Sequence, residues 1–321
     1  MPEPGEPRAP RRIPAPPTLL LVLASLFWAG NFVLGRAVSG RVPPVALAFW
    51  RWVLALALLL PLSWRSLRAQ APALRRAWPV VAALGVLGVG SFSTLVYVGL
   101  RDTTATNAVL LNSVCPALIV AISFAAGAGR ATPGQLLGIA VSLAGVVTIV
   151  SQGSLSTLRA LSVNAGDLWV LAAVLAWAIY TVLLRRRPPG VDALALLTVL
   201  VAVGVVWIAP FYAWEMARGE SMRLDLVTVA SVAYVGVFPS VLSYAFWNQA
   251  VGEVGPSRAG VFIHLLPAFG SLLAILLLGE AFRAFHAAGI GLILLGVTLA
   301  GRAPRRPSPA PPADGAGRGE G

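Results

Sequence analysis

Residues 97–150 recur without a gap 151 positions further on, in residues 248–301. Ala108, Pro116, Ala117, Gly138, Ile139, Leu143, Gly145 and Val146 fall on Ala259, Pro267, Ala268, Gly289, Ile290, Leu294, Gly296 and Val297. Asp102 meets Glu253, and Thr106 meets Ser257. A shorter stretch repeats at a spacing of 149, where WAGNFVLGR from Trp28 lies over WAIYTVLLR from Trp177. A unit this long is not a solenoid repeat of about 20–50 residues. It is a duplicated half, so the fold must be assembled from two like parts.

Charged residues make up 11% of the 321-residue chain and hydrophobic ones 58%, whereas a soluble domain carries roughly 25% charged residues. Such a chain cannot clothe a water-facing surface, and an integral membrane protein is expected. A transmembrane helix needs about 20 apolar residues. The candidates are about residues 18–38, 45–62, 79–100, 105–127, 133–151, 167–185, 192–213, 226–250, 257–279 and 283–301. Polar or Pro/Gly-containing joints separate them, at residues 63–76, 129–133, 185–190 and 215–225 among others. The expected class is therefore an all-α membrane protein with ten transmembrane helices, five in each half. Five is odd, so the second half enters the membrane from the opposite side. That makes the halves inverted repeats, an architecture typical of secondary transporters.

The expected boundaries are a disordered tail over 1–17, a first five-helix repeat over 18–151 and a connecting loop over 152–166. A second repeat covers 167–301, and a disordered tail covers 302–321. Arg11 and Arg12 before an apolar run could suggest a signal peptide. The run continues to Val38 without a convincing cleavage site, and its partner near Trp177 lies mid-chain, so a membrane span is expected instead.

The net charge of +12 comes from arginine, with no lysine in the chain. Nucleic-acid binding would gather these cations on one soluble face; here they lie between apolar segments. With both termini in the cytoplasm, sixteen arginines fall inside and eight outside, as positive-inside orientation requires. The acids Glu215, Glu220 and Asp225 then lie mainly outside. A multi-pass protein of a cell membrane is expected, with a bacterial inner membrane as the setting.

W-x-G-N-F at residues 28–32, P-x(6)-R at residues 44–51 and the prolines of the fourth and ninth segments resemble the EamA-type transporters of the drug/metabolite transporter superfamily. The stretch from Pro267 through Leu278, Gly279 and Glu280 to Gly289 and Gly296 looks like that family's closing signature. The likeness spans roughly residues 18–301. It implies a carrier that exports small metabolites, amino acids or drug-like solutes, without fixing which. Members often carry a Gly-Glu acid in both halves, but the position matching Glu280 is Gly129, so only the second half has that acid here.

Polar groups within apolar segments need an account, because a charge at the bilayer centre costs about 2.5–3.5 kcal/mol on insertion scales. Arg51 is either a cation facing a central cavity, attracting an anionic solute, or an arginine snorkelling to the outer headgroups. Asn31 and its matched Tyr180 are either two walls of one cavity or interhelical hydrogen-bonding groups. Trp28 and Trp177 lie too far inside their segments for interface markers and are candidate lining residues. Tyr97 and Asn248 form a further matched pair, and Tyr244 lies one turn before Asn248, on the same side.

Asn112 and His264 precede the matched Pro116 and Pro267 by four and three residues. Proline inside a helix removes a hydrogen bond and kinks it, and freed carbonyls can line a wet site. His264 is a candidate proton relay or solute contact, or else a neutral histidine tied to a neighbouring helix. Glu280 suits capping of the tenth helix or pairing with Arg283 as well as it suits function. Asp102 and Glu253 read as solvated loop acids.

Cys115 stands alone, which excludes a disulfide and a thiolate metal site. Gly85, Gly88, Gly90, Gly138, Gly289 and Gly296 supply small faces for helix contact. No phosphate-binding G-x-x-x-x-G-K-[ST] loop occurs. No metal-ligand cluster or catalytic triad stands out, so no cofactor and no enzyme are expected. The expected partners are a small-molecule substrate and the lipid bilayer. A homodimer is compatible with the sequence, which specifies none. A secondary exporter working by alternating access leads. A sugar-phosphate or nucleotide-sugar exchanger would call for Lys/Arg pairs deep in late segments, and a channel for a polar filter or charged ring.

Overall fold

The computed structural model describes residues 12–38, 42–103, 105–127, 131–159, 164–278 and 281–302. The Gly129/Glu280 contrast, residues 1–11 and residues 303–321 lie outside them, and Thr106 has no described side chain. The described secondary structure is helical throughout. Among the described residues, nine helical runs are long and apolar enough to cross a membrane. They are preceded by α1 (Pro17–Val38), a helix of 22 residues.

The run α2 (Pro44–Arg76) is 33 residues long and passes straight through the joint expected at residues 63–76. The Ser63 hydroxyl is buried, donating to the Leu59 carbonyl and meeting Thr198 Oγ1 at 2.8 Å, so it does not end the helix. The Arg, Gln, Ala and Leu residues that follow are good helix formers. Next come α3 (Trp78–Leu84) and α4 (Phe92–Gly99), joined by a π-helical turn at Gly85–Ser91. The fourth segment is interrupted between α5 (Ala105–Asn112) and α6 (Cys115–Ala125), just ahead of Pro116. The first half closes with α7 (Pro133–Val150), which starts in a Thr132–Gln135 capping box. A short α8 (Leu155–Arg159) lies in the connector.

The second half opens with α9 (Ala165–Leu183) and α10 (Ala193–Ala217). It continues with α11 (Leu226–Val235) and α12 (Ser243–Val254), joined by a π-helical turn at Gly236–Leu242. A 3-10 turn at Phe262–His264 interrupts the ninth segment between α13 (Pro256–Val261) and α14 (Leu265–Leu278). The chain ends in α15 (Ala284–Arg302). The two π turns stand 151 positions apart, and an interruption precedes the matched proline in each half.

Packing repeats in the same way. Helix α1 lies against α12 and α14, and its counterpart α9 lies against α4 and α6. The two most extensive contacts join counterparts directly, α7 with α15 and α2 with α10. The α2–α10 pair is clasped at both ends. Gln70 near the end of α2 accepts from the Asp192 amide (2.9 Å) and donates to the Gly190 carbonyl (3.3 Å). The buried Glu215 near the end of α10 accepts from the Val45 and Ala46 amides (3.1 and 2.7 Å) and pairs with Arg101 at 2.8 Å. Each helix thus satisfies amides at the other's start, where a helix has no internal partner for them.

Candidate functional site

Two neighbouring π turns, at Gly85–Ser91 and Gly236–Leu242, build the site. A π turn widens the coil by one residue and takes carbonyls out of the α-helical ladder. The Gly88 carbonyl accepts from the Tyr244 hydroxyl at 2.6 Å. The Pro239 carbonyl accepts from Trp28 Nε1 at 3.0 Å. Positions 88 and 239 are counterparts, so the two turns anchor the two polar rings of one aromatic wall. Trp28 lies edge-on to Trp177 with ring centroids 5.2 Å apart, and Tyr244 sits 6.0 and 5.4 Å from these two rings. Trp28 and Trp177, matched in the duplication, therefore touch at the centre of the protein. Phe92 covers Trp177 at 5.1 Å.

These rings face a cavity of about 570 Å³, its open mouth included. Seven of the ten candidate residues line it: Trp28, Asn31, Arg51, Tyr97, Asn112, Trp177 and Tyr244. Arg51 is 3% exposed. Its guanidinium turns inward, away from the headgroup position that snorkelling would give. Nε donates to Ser240 Oγ at 2.8 Å, Nη1 to the Tyr97 hydroxyl at 3.3 Å, and the group lies 4.9 Å from the Trp52 ring. Ser240 spends its own proton on the Val235 carbonyl, which leaves its oxygen free to accept. Arg51 forms no ion pair with any described carboxylate, so it faces the cavity without one. Asn31 Oδ1 is buried there with no hydrogen-bond partner among the described residues.

Three candidates lie elsewhere. Tyr180 is fully buried and donates to Asn248 Oδ1 at 2.6 Å, so the phenol and that amide oxygen meet each other beside the cavity. His264 is fully buried as well. Its Nε2 faces the Ser113 carbonyl at 2.8 Å, and since a carbonyl only accepts, that nitrogen carries the proton. Nδ1 meets the Ser142 hydroxyl at 2.5 Å. His264 lines a second cavity instead, together with Pro267. Pro116 is buried at the start of α6.

Sequence reasoning missed Ser240, Phe92, Ser93, Val96 and Leu266 as part of this site. Two serines and three apolar residues in membrane segments carry no signal until the helices are packed. Among the described residues no group of three or more His, Cys, Asp or Glu could hold a metal.

The EamA-like transporter family matches residues 16–151 and 164–302. This chain belongs to that family. An uncharacterized transporter of Archaeoglobus fulgidus is 31% identical over 283 residues, 88% of this chain and 96% of its own. A probable amino-acid metabolite efflux pump of Salmonella typhimurium is 23% identical over 290 residues, 87% of this chain and 93% of its own. A solved crystal structure superposes with a TM-score of 0.73, covering 88% of this chain and 96% of its own, at 22% identity. That match shows the shared fold. An EamA-like protein with this many apolar helices is a multi-pass membrane transporter, and the aromatic cavity lies among its spans.

Proposed function

We propose that this EamA-like chain is a secondary carrier that exports a small carboxylate-bearing solute by alternating access, with the solute held in the aromatic cavity. In this reading α1 is the first of ten spans, the halves are inverted five-helix repeats, and both termini are cytoplasmic. The arginine bias supports the orientation. The matched π turns and the reciprocal contacts of the two halves support a two-fold relation between them, and the odd number of spans in each half makes that relation an inversion.

The observation that carries the solute class is Arg51. A buried cation held by a hydroxyl, a phenol and a ring, but no carboxylate, leaves its charge to be met by what enters the cavity. Asn31 Oδ1, buried and unpartnered, calls for a donor on the same solute. The walls of Trp28, Trp177, Tyr244 and Phe92 suit an apolar body. An amino acid with an apolar side chain meets all three demands, which agrees with the efflux of amino-acid metabolites named for the Salmonella relative.

The test uses radiolabelled phenylalanine and the purified protein in liposomes. Removing one partner of a desolvated charge pair costs about 2–5 kcal/mol. Arg51→Gln should therefore raise the half-saturation concentration at least about 30-fold. The wild-type protein should also discriminate against phenethylamine, which lacks the carboxylate. Equal transport of both compounds by the wild type, or an unchanged half-saturation concentration in Arg51→Gln, refutes the reading.

A further inference from the structure

A second cavity, of about 1510 Å³ with the open solvent at its mouth included, adjoins the aromatic one. It lies among α1, α5, α7, α14 and α15 and shares Asn112, Ile263 and Leu266 with the first. From this neck it runs past Ser113 and Ser271 to Gln152 and Arg283, where α7 ends and α15 begins. We propose that this second cavity is the passage by which the carboxylate-bearing solute moves between the aromatic cavity and the end of the molecule carrying Gln152 and Arg283. The inference rests on the reading of the aromatic cavity as the solute site.

Three features support it. The opposite way out is shut. Beside the aromatic cavity, Tyr180 is bonded to Asn248, and Arg187 Nη1 donates to the Asn248 carbonyl at 3.0 Å. At that same end the Ile13 backbone is doubly bonded to the Gln249 amide, at 2.9 and 3.0 Å. The neck also sits where backbone is already out of the α-helical ladder. Asn112 is the last residue of α5, and Ile263 lies in the 3-10 turn before α14. Widening the neck there breaks little regular structure, whereas the fully bonded His264 anchors one side of it. Finally, the wall carries serine, glutamine and arginine side chains. The Ser113 hydroxyl is met by the Leu110 carbonyl, but a purely lipid-filled crevice gives the Gln152 amide and the Arg283 guanidinium no partner, while a water-filled passage for a carboxylate does.

The test needs no knowledge of the solute. Cys115 is the single cysteine and is buried, so Cys115→Ala gives a silent background. Ser93→Cys places a thiol on the aromatic cavity. In vesicles of known orientation, a small membrane-impermeant methanethiosulfonate should label it from the Arg283 end and not from the Ile13 end. Adding Ser271→Trp or Ala274→Phe, each of which fills the second cavity, should abolish that labelling, while Ser271→Ala should keep it. Ser271→Cys alone should react from the same end, which serves if the bulky variants fail to fold.

Labelling of Ser93→Cys that survives both bulky substitutions overturns the proposal. So does reaction only from the Ile13 end, or a Ser271→Cys that the reagent never reaches. Because labelling is read without transport, a failure of phenylalanine transport leaves it standing as a separate result.

Discussion

Gly145→Ala tests the packing that holds the last helices of the two halves together. In α7 and α15, a Cβ added at Gly145 would lie 2.6 Å from the Gly289 carbonyl oxygen and 2.8 Å from the Ile293 amide nitrogen. A Cβ at Gly138 would lie 2.5 Å from the Gly296 carbonyl, the reciprocal contact at the other end of the crossing. Ordinary contact begins near 3.4 Å, so the helices must part by about 0.8 Å at backbone atoms that cannot swing aside. Overpacking of this kind costs about 1–3 kcal/mol, or about 2–12 °C in Tm for a domain of about 150–250 residues. Gly291, on α15, has nothing within 4 Å of its built Cβ. Gly291→Ala should raise Tm slightly, since alanine is the better helix former by about 0.5–1 kcal/mol. The double variant Gly145→Ala/Gly289→Ala should lose less than the sum of the singles, because one separation relieves both clashes. The assay is thermal unfolding in detergent, with transport per folded molecule measured alongside. Unchanged Tm in Gly145→Ala, or strict additivity in the double variant, refutes this account of the contact.

Two other substitutions separate structural ties from transport chemistry. Glu215→Gln should lower Tm, because its amide nitrogen must face a helix-start amide or the Arg101 guanidinium, donor against donor. Leaving a buried group unmet costs about 1–3 kcal/mol, and a wild-type Tm would show that the α2–α10 clasp contributes nothing. His264→Gln should transport with the wild-type pH profile between about pH 6 and 8, because both ring nitrogens are already held by Ser113 and Ser142. Loss of a pH dependence present in the wild type would instead make His264 a proton relay.

The candidate site was legible to the extent that it is polar or aromatic in an apolar setting. Arg51, Asn31, Asn112 and the Trp28/Trp177 pair stand out in a line of Leu, Val and Ala, and all reach the aromatic cavity. Tyr180, Asn248 and His264 stand out equally, yet their partners are one another, Ser113 and Ser142. A sequence shows that a polar group needs a partner but not whether a neighbouring helix supplies it. Ser240 was invisible for the opposite reason. A hydroxyl in a membrane helix can return its proton to its own backbone, and only the π turn aims its lone pair at Arg51.

Apolar segment length, sparse charge and a duplication at 151 positions determined by themselves that this chain is helical, membrane-embedded and built from two halves, because backbone in lipid must satisfy its own hydrogen bonds. The tertiary structure decided where the polar groups go. Matched π turns at Gly85–Ser91 and Gly236–Leu242 shift the helix face by one residue, a displacement that a hydrophobic repeat averages away. That shift brings the two polar rings, Trp28 and Tyr244, to carbonyls from opposite halves and opens one aromatic cavity beside a buried arginine.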